Sequence, residues 1–203
     1  MEHLAIIADG NRRWAASHNF SKEAGYWRGL KTIENCCEWC INNSINFLTV
    51  FCLSTENWKR KEEEINMLFR MAETYLDERL DWYLEKKIRV RFLGRRDHFK
   101  PSFIEKMENL EKTTERDFCL TLTLCIDYGG RDEIARAISA GCKTEKEINE
   151  YLNAFIPDPD LILRTGGYKR LSNFLLWQAA YSELFFTDTL FPDLTDEFLD
   201  DMK

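Results

Sequence analysis

Short apolar runs rich in Ile, Leu, Val and Phe recur at residues 3–8, 45–53, 88–94, 119–127 and 160–165, with a weaker run at 183–187. Their length predicts strands. Polar residues do not alternate cleanly through them, which predicts strands mostly buried on both faces. Between them the apolar period lengthens. Over residues 61–87, Ile65, Leu68, Phe69, Ala72, Leu76, Leu80 and Leu84 follow three-and-four spacing, while Glu62, Glu63, Glu78 and Lys86 fill the other faces. That is the pattern of an amphipathic helix. Residues 26–43, 101–117, 130–141 and 144–154 are further helix candidates, and a helix start falls near Arg12–Trp14.

Strands alternating with helices predict an α/β fold with a mostly parallel central sheet of about six strands, covered by helices on both sides. No internal repeat, low-complexity segment or Pro/Gly linker divides the chain, so residues 1–203 read as a single domain. With 44% apolar and 13% aromatic residues the chain fills a substantial core without staples. Met67, Met71 and the many phenylalanines are read as core first and as the lining of a lipid cavity second.

The formal net charge of −7 argues against a nucleic-acid coat, which needs a broad basic face to release counterions. The seven cysteines, Cys36, Cys37, Cys40, Cys52, Cys119, Cys125 and Cys142, are odd in number and irregularly spaced. They read as free thiols in a reducing cytosol. Cys37 and Cys40 form one CxxC, but no second CxxC or paired histidines accompany it, so the cysteines are taken as core rather than zinc ligands. No apolar stretch reaches the roughly 18–20 residues of a bilayer crossing, which leaves a cytoplasmic protein that touches a membrane at most peripherally.

Unusual polar groups collect after three of the predicted strands. They are Asp9-Gly10-Asn11-Arg12-Arg13, the segment Ser54–Arg60 (STENWKR), and the segment Arg164–Asn173 (RTGGYKRLSN), where Ser172 is a candidate helix cap. A fourth, Asp127–Arg131 (DYGGR), either shares their location or makes only a tight strand-to-helix turn. In an open parallel sheet the carboxyl ends of the strands form one rim, and ligands bind there. Arg13, Arg60, Arg164 and Arg170 would then face one crevice of an acidic protein. Guanidinium forks and unpaired helix N–H groups both attract phosphate, which points to diphosphate binding.

An aspartate at the mouth of such a site would repel a diphosphate unless a divalent cation lay between them. Mg²⁺ takes one or two carboxylates and completes its octahedron with phosphate oxygens and water. Asp9 therefore reads as a metal ligand, with a turn former or helix cap as the plainer alternative.

The blocks HLAIIADGNRRWA, FLTVFCLSTENWKR, IDYGGRDEI and LILRTGGYKRLSNFLLWQAAYSELFF resemble the successive signatures of the cis-prenyltransferases, the group that contains undecaprenyl diphosphate synthase. They run in family order from residue 3 to residue 186. The resemblance implies an enzyme that extends an allylic diphosphate, farnesyl diphosphate in the usual case, by repeated cis addition of isopentenyl diphosphate. It further implies a parallel-sheet fold, a homodimer, Mg²⁺, and a hydrophobic tunnel for a long polyprenyl product that serves bacterial cell-wall synthesis.

Carried over position by position, the resemblance makes Asp9 the metal-binding aspartate. Gly10, Asn11, Arg12, Arg13 and Trp14 would hold the allylic diphosphate, with Lys22 and Tyr26 as further contacts. Ser54, Thr55, Glu56, Asn57, Trp58 and Arg60 fall in the block that binds substrate and positions the reacting groups. Asn57 is the family's candidate for proton removal, although a neutral amide is a poor base and suits orientation better. Arg164, Arg170, Leu171 and Ser172 match the isopentenyl diphosphate site, where bidentate guanidinium contacts suit phosphate. Glu183 matches a second metal-associated carboxylate near the dimer contact.

Some positions depart from the family pattern. Tyr26 replaces a histidine, Lys61 a proline, and Tyr168 and Lys169 an acidic residue and often a histidine. The sequence ends at Lys203 without the arginine-rich tail that helps close the isopentenyl site across the dimer. Two other readings compete with a catalytic prenyltransferase. One is a non-catalytic partner subunit. The other is a Mg²⁺-dependent phosphohydrolase, weakened because the second carboxylate such chemistry needs is here Asn11.

Overall fold

A computed structural model of the chain describes residues 1–153 and 156–203. Six strands form one sheet: β1 (His3–Ile7), β2 (Phe47–Ser54), β3 (Ile88–Leu93), β4 (Leu120–Tyr128), β5 (Leu161–Arg164) and β6 (Glu183–Phe186). Their order is β3-β4-β2-β1-β5-β6, and every pairing is parallel. Seven α-helices accompany them among the described residues: α1 (Asn11–Ser17), α2 (Lys22–Asn42), α3 (Glu62–Glu85), α4 (Pro101–Thr113), α5 (Gly130–Ser139), α6 (Glu145–Leu152) and α7 (Asp196–Met202).

All six expected strands are present within two residues of their predicted ends, because long apolar runs in a two-sided sheet have one way to bury themselves. The expectation of burial on both faces holds for β1, β4 and β5 but not for the edges. In β3, Arg89 and Arg91 alternate with buried neighbours, and β6 is largely exposed. An edge strand has no neighbour on one side to cover it. α2 starts earlier than expected, at Lys22, capped by Ser21, whose hydroxyl accepts from Ala24 N at 3.1 Å. Gly25 and Gly29 obscure the apolar period there, since they make room for α1 rather than fill a core. α7 carries no period that its seven residues could display. The last residue of the helix expected at 144–154 lies outside the described residues.

Successive side chains of a strand point to opposite faces. Leu4 and Ile6 of β1 enter a large core with Ile33, Cys37, Val50, Tyr83, Leu122 and Phe103, while Ala5 and Ile7 join a smaller one with Cys125, Tyr128, Ile162 and Phe174. Four cysteines, Cys36, Cys37, Cys40 and Cys125, are buried as expected. Cys52 and Cys119 are exposed and Cys142 is partly so, which corrects the reading of all seven as core. Burial pushes the Cys36 thiol up to about 12, so it stays neutral.

The strand order locates the site. From β1 the chain runs to β2 on one side, whereas β5 leads to β6 on the other. β1 and β5 are thus the adjacent strands whose connections diverge, and a crevice opens beyond their carboxyl ends. Ile7 pairs with Arg164 at that end, which brings Asp9 and Arg164 to the same lip.

Candidate active site

Beyond β1 the backbone turns at Gly10, which adopts φ +123°, and a side chain there would press on Leu190 at 3.0 Å. This turn aims Asp9 back across the crevice. Its backbone is pinned by Thr165, whose hydroxyl donates to the Asp9 carbonyl at 2.8 Å, and by Phe191 N, which donates to the same carbonyl at 3.0 Å. Asp9 Oδ1 accepts from Arg13 Nη2 at 3.2 Å and Oδ2 accepts from Arg164 Nη2 at 3.0 Å. Asn11 opens α1 against Gly29 of α2, so closely that a Cβ at residue 29 would lie 2.3 Å from Asn11 Oδ1.

Arg164 is nearly buried and serves as the hub of the β5 side. Its Nη1 donates to the Arg170 carbonyl at 2.5 Å and to Ser172 Oγ at 2.6 Å. Ser172 is therefore not a helix cap. It sits at φ 51° in a turn, no helix follows it directly, and its hydroxyl oxygen accepts from Arg164. Tyr168, at a position where the family pattern has an acid, gathers three guanidinium groups around its ring. Arg170 lies 4.4 Å from the centroid, Arg13 5.3 Å and Arg164 5.5 Å. A π face holds cations without cancelling their charge.

The STENWKR segment forms a 3₁₀ turn, Thr55–Lys59, after β2. Asn57 Oδ1 accepts from Ser54 N at 3.2 Å, which fixes the orientation of the amide. Trp58 does not reach the crevice. Its indole N–H donates to the fully buried Asp127 at 2.6 Å and its ring packs on Phe69, so it anchors the turn from behind. Glu56 accepts from Asn173 Nδ2 at 3.2 Å and from Thr55 Oγ1 at 3.3 Å. Burial alone would raise its pKa, but these bonds and those from the turn hold it below the ordinary value.

The DYGGR segment satisfies both of its readings. It is a tight turn into α5, and it belongs to the rim, because a Cβ at Gly129 would lie 2.7 Å from Asn173 Nδ2 and 2.9 Å from Thr55 Oγ1. Asn173 Oδ1 also accepts from Arg131 N at 2.9 Å. Asn173 thus ties three rim segments together, a role that no local pattern announces.

A second cationic group gathers where α1, α2 and α3 meet. Arg60 Nη1 donates to Tyr26 Oη at 2.9 Å and to Glu64 Oε1 at 3.0 Å. Arg12 and Lys22 each reach the Glu64 carboxylate at 3.4 Å. Burial raises the Tyr26 pKa against the opposing pull of Arg60, which keeps the phenol protonated. Glu64 was not among the residues singled out from sequence.

Beneath the two groups lies a cavity of about 380 Å³. Its mouth is formed by Asp9, Gly10, Asn11, Arg12, Arg13, Tyr26, Arg60 and Tyr168, and its depth by Leu30, Leu68, Met71, Phe92, Phe103 and Leu124. Met71 and several phenylalanines line this cavity as well as packing in the core, whereas Met67 does not line it. Some expected contacts lie elsewhere. Trp14 donates its indole N–H to Asp193 at 2.6 Å and stacks on His18, and Leu171 packs against the smaller core. Glu183 is exposed at the start of β6, paired with Leu161, so it lies three strand residues, roughly 10 Å, before the Arg164 end of β5.

One further cluster of ligating groups occurs among the described residues, Asp97, His98 and Asp127. Its acids are already engaged: Asp127 with Trp58 and with His98 Nδ1 at 2.7 Å, and Asp97 with Arg95. No helix among the described residues is long and apolar enough to cross a membrane.

Comparison with known proteins agrees with this geometry. Residues 7–202 match the prenyltransferase family described as "Putative undecaprenyl diphosphate synthase". An isoprenyl transferase of Aquifex aeolicus is 44% identical over 203 aligned positions, covering 97% of this chain and 88% of the relative. An isoprenyl transferase of Campylobacter jejuni is 42% identical, with 96% and 90% covered. Among solved structures, a "probable undecaprenyl diphosphate synthase" from Campylobacter jejuni superposes with a TM-score of 0.84 at 36% identity, covering 100% of this chain and 92% of that one. Lavandulyl diphosphate synthase from Lavandula x intermedia, in complex with dimethylallyl diphosphate, superposes with a TM-score of 0.91 at 28% identity, covering 98% and 92%. The chain therefore belongs to the undecaprenyl diphosphate synthase-like family of prenyltransferases.

Proposed function

We propose that the protein elongates an allylic diphosphate, farnesyl diphosphate in the first turn, by successive cis condensations with isopentenyl diphosphate, giving a long-chain polyprenyl diphosphate. The product expected in a bacterial setting is undecaprenyl diphosphate, the precursor of the cell-wall lipid carrier. The observation that carries this reading is the Asp9 carboxylate bridging Arg13 and Arg164 at the mouth of an apolar cavity. A cationic mouth suits two diphosphates, and an apolar depth suits the tail of one of them.

The allylic diphosphate is assigned to Arg12, Arg13, Arg60 and the backbone around Gly10 and Asn11. Isopentenyl diphosphate is assigned to Arg164, Arg170 and Ser172. In the reaction the allylic C–O bond breaks, the isopentenyl double bond supplies the electron pair of the new C–C bond, and one proton is lost. The arginines stabilise the charge gathered on the departing diphosphate, and no covalent enzyme intermediate is required. Asn57, with its acceptor held by Ser54, orients substrate, and a diphosphate oxygen or water takes the proton.

The residues present fit Mg²⁺. Asp9 is 30% exposed, and each of its oxygens accepts from a single guanidinium, leaving lone pairs for a cation that takes one carboxylate and fills its shell with phosphate and water. When bound, the ion supplies Lewis-acid stabilisation of the leaving diphosphate. Glu183 is a candidate for that role only across a homodimer. The apolar, exposed Leu184 and Phe185 on the β6 edge, with Tyr181 beside them at 96% exposure, favour a dimer contact there. A cytoplasmic location with peripheral membrane contact for product release completes the proposal.

The test is incubation of the protein with farnesyl diphosphate, labelled isopentenyl diphosphate and Mg²⁺, followed by sizing of the lipid. Long products are expected from the wild type and almost none from Asp9→Ala. Absence of elongation by the wild type would favour the partner-subunit reading.

A further inference from the structure

Glu64 has no part in the function proposed above, yet its carboxylate is the meeting point of the second cationic group. Oε1 accepts from Arg60 Nη1 at 3.0 Å, Tyr26 Oη at 3.3 Å and Arg12 Nη1 at 3.4 Å, and Oε2 accepts from Lys22 Nζ at 3.4 Å. These donors come from α1, α2 and the turn ahead of α3, so the local chain does not bring them together. Only Arg60, four residues before Glu64, is close to it in sequence.

Depth separates the acid from its partners. The Glu64 side chain is 10% exposed, against 51% for Arg12 and 61% for Lys22. Arg12, Tyr26 and Arg60 line the cavity, whereas Glu64 and Lys22 do not. The carboxylate therefore stands behind Arg12, Arg60 and Tyr26 as seen from the cavity. Burial would raise its pKa, but Arg60, Arg12 and Lys22 outweigh that and hold it below the ordinary carboxylate value. Without an anion at this point three like charges would repel, and the two exposed ones would swing into solvent. A guanidinium has five N–H donors, so one spent on Glu64 leaves several to aim at a ligand.

We propose that Glu64 is the positioning residue of the allylic half-site: it gathers Arg12, Arg60 and Tyr26 from behind and directs the remaining guanidinium donors toward a diphosphate at the cavity mouth. The proposal rests on the reading of this mouth as a diphosphate site. It makes a prediction opposite in sign to that of charge alone. Removal of a negative group near a polyanion should tighten binding if only the field matters, whereas loss of preorganisation should weaken it.

The experiment titrates inorganic pyrophosphate in EDTA into the full chain by calorimetry, for wild type, Glu64→Gln and Tyr26→Phe. Glu64→Gln is expected to bind about tenfold more weakly. Tyr26→Phe, which removes the hydroxyl bridging Arg60 and Glu64 and alters no charge, is expected to bind about threefold more weakly. In steady-state elongation, Glu64→Gln should raise KM for farnesyl diphosphate by a similar factor and leave KM for isopentenyl diphosphate within about twofold. Equal or tighter binding by Glu64→Gln, an unchanged Tyr26→Phe, or a parallel rise in both KM values would overturn the inference. If Glu64→Gln does not fold, Tyr26→Phe decides alone. A wild type that binds pyrophosphate beside a Glu64→Gln that binds it equally sinks only the role of Glu64. A wild type that binds none sinks the diphosphate reading as well.

Discussion

Two carboxylates stand among arginines at this rim, and they differ in what faces them. Asp9 is 30% exposed, sits at the lip of the cavity and is held by Arg13 and Arg164, one guanidinium to each oxygen. Glu64 is 10% exposed, stands behind the lip and is surrounded by Arg12, Lys22, Arg60 and Tyr26. Similar chemistry thus serves different ends. The acid at the lip accepts from two donors, whereas the one behind it accepts from four donors of its own protein. The lesson is that the role of a charged pair is decided by exposure more than by the identity of the partners.

The largest test of that contrast is Asp9→Asn, which preserves shape and removes charge. Elongation from farnesyl diphosphate should fall about a thousandfold, near 4 kcal/mol of transition-state stabilisation, far beyond the effect expected for Glu64→Gln. Comparable losses in the two variants would show that the acids are equivalent.

A control for both acids lies at the opposite end of β1. His3 is fully buried, with Nδ1 against the Pro157 carbonyl at 2.8 Å and Nε2 against Thr49 Oγ1 at 2.8 Å. Burial lowers its pKa from 6.5 to about 4, so between these values the unfolded chain takes up a proton that the folded one refuses. Stability contributed by the neutral ring is complete above pH 6.5 and is lost as the pH falls toward 4, by about 3 kcal/mol in all. Urea midpoints measured across that window should fall with acidification, and His3→Gln should flatten the slope. An unchanged slope would show that the ring is not kept neutral.

Within the Asp9 group, Arg164→Lys should lower kcat/KM about fiftyfold, mainly through KM for isopentenyl diphosphate. A single ammonium cannot span Asp9, the Arg170 carbonyl and Ser172 together. A rise confined to the farnesyl diphosphate KM would reverse the assignment of the two half-sites. The smallest effect belongs to Tyr168→Ala. Loss of the ring beneath three guanidinium groups should weaken pyrophosphate binding about threefold, in keeping with partly exposed cation–π contacts.

Much of this was legible in the chain itself. The strand runs and the long α3 period emerge from apolar spacing because a two-sided sheet and an amphipathic helix each leave a distinctive rhythm. Asp9, Arg13, Arg60 and Arg164 were accessible for the related reason that each lies at or just beyond the end of a strand. Trp14 and Trp58 could not be placed in the same way. Both occur in the right segments, yet their indoles turn to Asp193 and Asp127, and the partner of a side chain distant in sequence leaves no local trace. Ser172 had the residue type of a helix cap, and only its φ of 51° with Arg164 as donor shows otherwise.

What the sequence determined by itself is the alternation of buried strands and amphipathic helices, and the presence of phosphate-seeking residues after three of those strands. Burial of apolar runs and the two periodicities are properties of neighbouring residues, so they can be read along a line. The tertiary structure alone decided that β1 and β5 lie side by side, that Asp9 therefore touches Arg164 across a separation of 155 residues, and that Glu64 collects cations from three elements. Those are contacts between distant parts of the chain. Their energies depend on distance and exposure in space, which only folding sets.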